Sequence, residues 1–89
     1  MNWFKKIFFK PKTELQNCQK VIRKLGFRYN SSYGTFHKDF DSFDCAIWIY
    51  DDTIKLKIYS KGGGYSETEM IGPPLPNKEQ LTNFILYHT

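Results

Sequence analysis

From residue 53 to residue 60 apolar and polar side chains alternate without a break. Ile54, Leu56 and Ile58 fall to one side of an extended chain, and Lys55, Lys57 and Tyr59 to the other. Ahead of them, residues 43–50 are rich in aromatic and β-branched types, and Asp51-Asp52 separates the two runs. The pattern predicts an antiparallel hairpin with one face in water. A two-stranded hairpin is marginal by itself, so its apolar face requires further strands and a covering layer.

Two amphipathic segments can supply that layer. Thr13-Glu14-Leu15-Gln16 has the capping-box pattern, and Leu15, Cys18, Ile22 and Leu25 then recur at helical spacing with Val21 beside them. Gly26 suits the left-handed stop position, and Phe27 can fold back on the last turn. Near the other end, Asn77 is placed to cap a helix with Gln80 at the third position. Leu81, Phe84, Ile85 and His88 share a face there, and His88, next to last, is expected to fray. Between the helices, residues 27–30, 35–40 and 65–71 read as further strands. Ser31-Ser32-Tyr33-Gly34 reads as a turn, Gly62-Gly63-Gly64 as a flexible break, and residues 72–76 as irregular chain because of their prolines. The expected fold class is α+β with two layers: an antiparallel β-meander of three to five strands, packed by an N-terminal and a C-terminal helix in the order α-β-β-β-β-α.

Eighty-nine residues suffice for one core and not two, so residues 1–89 are expected to form a single domain. Residues 1–12 form a basic amphipathic segment, docked on the domain or projecting from it. Within it Trp3, Phe4, Ile7 and Phe8 share a helical face away from Lys5, Lys6 and Lys10, and Pro11 ends it. Lys5 and Lys6 interrupt any signal-peptide core, and no stretch approaches a membrane span. Two cysteines, Cys18 and Cys45, are too few for a disulfide scaffold, so a reducing, cytoplasmic location with free thiols is expected.

Charge is distributed unevenly. Residues 1–28 hold eight Lys and Arg against Glu14, a net +7, whereas residues 29–89 hold five Lys against eight carboxylates, a net −3. Such polarity bears on partners rather than on fold.

Catalytic and metal patterns are thin. His37 lies in an expected strand with no partner set by a motif, and reads as a surface or edge-strand histidine. Cys18 and Cys45 read as small buried hydrophobes, and their separation excludes a paired zinc motif. Asp39-Phe40-Asp41-Ser42-Phe43-Asp44 would begin a calcium loop only with Gly sixth and Glu twelfth. Those places hold Asp44 and Tyr50, which leaves a solvated acidic turn. Lys61-Gly62-Gly63-Gly64 lacks phosphate-loop spacing. No cofactor and no metal is expected.

Two signals point to binding. One is the basic start, Lys5, Lys6, Lys10, Lys12, Lys20, Arg23, Lys24 and Arg28, part of which complements the end of the first helix. The other is the supply of aromatics in or beside strands, among them Tyr29, Tyr33, Trp48, Tyr50, Tyr59 and Tyr65. The reading that follows is a small non-catalytic interaction module of inhibitor or adaptor type, a kind that suits phage or mobile-element proteins. It would bind a partner protein through Trp3, Lys5, Lys6, Lys10, Lys12, Lys20, Arg23, Lys24, Arg28, Tyr29, Tyr33 and Tyr59. One alternative is nucleic-acid binding, because helix, strands, helix is loosely similar to double-stranded-RNA-binding domains, although no RNP-type motif is present. Another is peripheral contact with an anionic membrane through residues 3–10. An enzyme is the least supported class. Leu25-Gly26-Phe27 with Gly34 and His37 faintly resembles the layout of small HicA-type RNA-cleaving toxins, but the Gly-to-His spacing is longer than theirs and an extra hairpin intervenes.

Overall fold

The computed structural model of the protein describes residues 14–50, 52–64 and 66–89. The capping box at Thr13 and the basic segment 1–12 lie outside these residues. The first helix, α1, occupies residues 14–24 of the described chain. It buries Cys18, Val21 and Ile22, the stripe read from the spacing. It stops at Gly26, whose φ of +98° is cheap only without a Cβ. The Gly26 amide donates to Arg23 O at 3.0 Å and the Phe27 amide to Ile22 O at 3.2 Å, which completes a Schellman motif. Lys38 closes this end. Its Nζ donates to Leu25 O at 2.7 Å, and it lies 5.9 Å from the centroid of Phe27 and 4.9 Å from that of Phe40. Lys38, which comes from a strand, thus joins the cations at the end of α1.

Five strands follow: β1 (Arg28–Asn30), β2 (Thr35–Asp39), β3 (Phe43–Ile49), β4 (Ile54–Ser60) and β5 (Ser66–Ile71). They form one antiparallel meander in the spatial order β1-β2-β3-β4-β5, the upper end of the range expected. The connections are tight. Gly34 N donates to Asn30 O at 2.8 Å, and Phe40 N to Phe43 O and Tyr50 N to Thr53 O at the same distance. The second helix, α2 (Lys78–His88), begins with the expected capping box. Gln80 N donates to Asn77 Oδ1 at 2.8 Å, and Asn77 N to Gln80 Oε1 at 3.0 Å. His88 lies within the last turn, its ring 4.9 Å from that of Phe84.

Both helices pack on the same side of the sheet. Ile22 of α1 and Leu81 and Ile85 of α2 share one core with Phe36, Cys45, Ile47, Ile54 and Leu56. The register explains why. Phe36, Ile47 and Leu56 are cross-strand neighbours, as are Cys45 and Ile58, and Ile49 and Ile54, so period-two patterning in each strand is brought into one apolar sheet face. On β5 this cover reaches Ile71. Glu69 and Glu67 follow Leu56 and Ile58 on the same face, yet both are exposed. Charged residues on such an edge oppose pairing with another sheet.

Candidate interaction surface

The other face of the sheet carries no helix among the described residues. Alternation places Asp44, Ala46 and Trp48 of β3, Lys55, Lys57 and Tyr59 of β4, and His37 and Asp39 of β2 on it, and β1 adds Arg28 opposite His37. Ala46 is the small residue of this group and is buried between His37 and Lys57. On this face lies a hollow of about 380 Å³, lined by Tyr33, Thr35, His37, Lys38, Trp48, Tyr59 and the Asp39–Asp44 end.

The walls of the hollow are held in place. Thr35 is fully buried and its Oγ1 is hydrogen-bonded to His37 Nε2 at 2.5 Å. The Tyr33 ring lies 5.9 Å from the His37 ring, leaving Tyr33 largely exposed. Trp48, half-buried, has the ammonium groups of Lys55 and Lys57 at 6.0 and 5.9 Å from its ring, and Lys57 is 5.3 Å from the ring of Tyr59. These are cation–π distances. They hold the two lysines against Trp48 and Tyr59, two of the residues that line the hollow.

The opposite end is acidic. Asp39 and Asp44 are directly opposed across β2 and β3, and Lys61 holds the pair. Its Nζ forms a salt bridge to Asp39, lies 3.8 Å from Asp44 Oδ1 and donates to Phe40 O at 2.8 Å. The hydrogen bond from Lys61 pulls the Asp39 carboxyl below its ordinary value. The hydrogen bond with Asp39 pushes Asp44 above its own. The two act on stability with opposite signs. The contribution of Asp39 is present above its ordinary value of 3.8 and is lost as pH falls through the lowered one. That of Asp44 is present below 3.8 and is lost as pH rises through the raised one. Carboxyl-carbon NMR should therefore show Asp44 titrating at higher pH than Asp39, and Lys61→Met should move Asp39 upward. Coincident titration curves would contradict this arrangement.

The remaining polar groups singled out in the sequence have structural surroundings. Cys18 and Cys45 are free and buried. Burial raises both thiols, Cys45 to about 12, so neither is a ready nucleophile. No cluster of His, Cys, Asp and Glu able to hold a metal occurs among the described residues. No helix among them is long and apolar enough to cross a membrane.

Of the residues expected to meet a partner, Arg28, Tyr33 and Tyr59 belong to the open face, with Tyr33 and Tyr59 lining the hollow itself. Lys20, Arg23, Lys24 and Tyr29 do not. Tyr29 packs edge-on against Phe36, with ring centroids 5.2 Å apart, and Arg23 lies 5.5 Å from the centroid of the same ring, so both belong to the helical side. The basic and aromatic signals are thus two surfaces on opposite sides of the sheet. Trp3, Lys5, Lys6, Lys10 and Lys12 lie outside the described residues. His37 and Trp48 line the hollow as well, though neither was among the residues expected to meet a partner. Strand parity could have found them: with Cys45 and Ile47 turned inward, Trp48 must face the other way.

Compared with known families, with curated proteins and with solved structures, the chain matches none.

Proposed function

We propose that the protein is a small non-catalytic interaction module that binds a partner protein on the open face of its sheet. The observation that carries this reading is the hollow walled by Tyr33, Trp48 and Tyr59 on a face that no described helix covers. Tyrosine and tryptophan combine large contact area with polar tips and supply many of the residues that dominate binding energy. The face is dipolar, with Arg28, Lys55 and Lys57 set against Asp39 and Asp44, which orients a protein surface of complementary charge. Two features favour protein over nucleic acid here. The acidic end repels phosphate, and Lys55 and Lys57 already lie against the Trp48 ring on which a base would stack.

The test is a tagged pull-down with the full chain, with and without nuclease and at two salt concentrations, repeated with the Tyr33→Ala/Tyr59→Ala variant. Both side chains are exposed, so the fold should be unchanged. A stoichiometric protein should survive nuclease, and the variant should bind it about tenfold or more weakly, the effect of losing anchor residues. Recovery abolished by nuclease, or unaltered by the variant, would refute the reading.

A further inference from the structure

The helical layer carries a second surface, opposite the hollow. Lys20, Arg23 and Lys24 of α1 and Lys78 at the start of α2 line a groove of about 460 Å³ together with Val21. Four cations meet here with no acidic residue in the lining, and among the described residues none of them forms an ion pair. Lys20 and Lys24 stand four apart on a helix, where like charges repel. Helix-end chemistry covers only part of the group: Arg23 and Lys24 stand in the last turn of α1, but Lys20 lies a turn earlier and Lys78 stands at the start of α2, where a cation opposes the dipole. Arg23 is held over Phe36 by a cation–π contact, so its guanidinium is positioned beside the groove without a carboxylate partner.

The groove is bounded. Lys78 is shared with a neighbouring groove lined by Glu14 and Glu79. A continuous polyanion such as a nucleic-acid strand would carry its phosphates past Lys78 towards these carboxylates. A short acidic segment of a protein can place its charges among the four cations and end there. We propose that this groove binds a short run of Asp and Glu side chains from a partner protein. The proposal is independent of the open-face reading, because its residues and its test use the other side of the sheet.

The experiment uses the full ¹⁵N-labelled chain and three probes: a capped oligo-glutamate peptide, a single-stranded oligothymidine and inorganic phosphate. The peptide should shift the amide resonances of Lys20 to Lys24 and of Lys78, and its affinity should fall as salt rises. Lys20→Glu/Lys24→Glu should weaken it about tenfold or more. The neutral Lys20→Gln/Lys24→Gln should weaken it less, and Tyr33→Ala/Tyr59→Ala not at all. Circular dichroism of each variant checks the fold. Absence of shifts at the groove, affinity unchanged by charge reversal, tighter binding of oligothymidine than of peptide, or phosphate binding as tightly as peptide would each overturn the proposal.

Discussion

Gly72→Ala is expected to lower the midpoint of thermal unfolding by roughly 15 °C, corresponding to a loss of about 3 kcal/mol. Gly72 leads from β5 into the chain before α2 with a φ of +115°. A side chain in that conformation costs about 1–2 kcal/mol by its handedness alone. A Cβ at this position would also lie 2.5 Å from Asp52 O, 3.0 Å from Thr53 Cα and 3.2 Å from Pro74 O. All three are backbone atoms, so none can rotate aside, and relief requires the β3–β4 turn to move. Gly63→Ala is the control. Its Cβ would meet Ser60 Oγ at 3.7 Å, an ordinary contact, and the melting curve should barely change. Thermal unfolding followed by circular dichroism separates the two, and equal midpoints would show that the chain around Gly72 is not packed as described.

Ile47→Ala should cost about 3 kcal/mol in urea unfolding, within the usual range for emptying a buried aliphatic site. Ile47 is fully buried on the middle strand, with Phe36 and Leu56 as its cross-strand neighbours. Loss there forfeits both burial and contacts from helices and strands. Lys57→Ala, next along β4 from Leu56 but on the opposite face, should change stability by no more than about 0.5 kcal/mol. The contrast tests the central architectural statement, that one sheet face is core and the other is open. If Lys57→Ala proved as damaging as Ile47→Ala, the open face would itself be a packed layer and the hollow would not be available to a partner.

Much of the fold was legible because its signals are local. The capping box at Asn77 and Gln80, the stop at Gly26 and the alternation through Ile54, Leu56 and Ile58 all depend on residues within a turn or two of each other. The capping hydrogen bonds and the Schellman bonds form between the residues that the pattern named. The candidate surface was legible only in part. Tyr33 and Tyr59 could be picked out as strand-side aromatics, but their convergence on one hollow with His37 and Trp48 depends on register across three strands. The role of Lys38 at the end of α1 was likewise hidden, because a contact thirteen residues away leaves no mark in helical spacing.

The charge polarity shows where the division falls. The order of the residues by itself determined that cations crowd the first third of the chain and that one face of β4 pairs lysines with tyrosine. Sequence order cannot say which of these charges share a surface, since a strand turns alternate side chains to opposite faces and a helix lies on only one of them. Tertiary structure decided that Lys20, Arg23 and Lys24 join Lys78 from the far end of the chain. It also decided that Arg28, though counted with them along the sequence, stands across the sheet among the aromatics. The physical reason is that burying the apolar face of the sheet commits both helices to the same side, and that choice separates the cations of the helical layer from the charges of the open face.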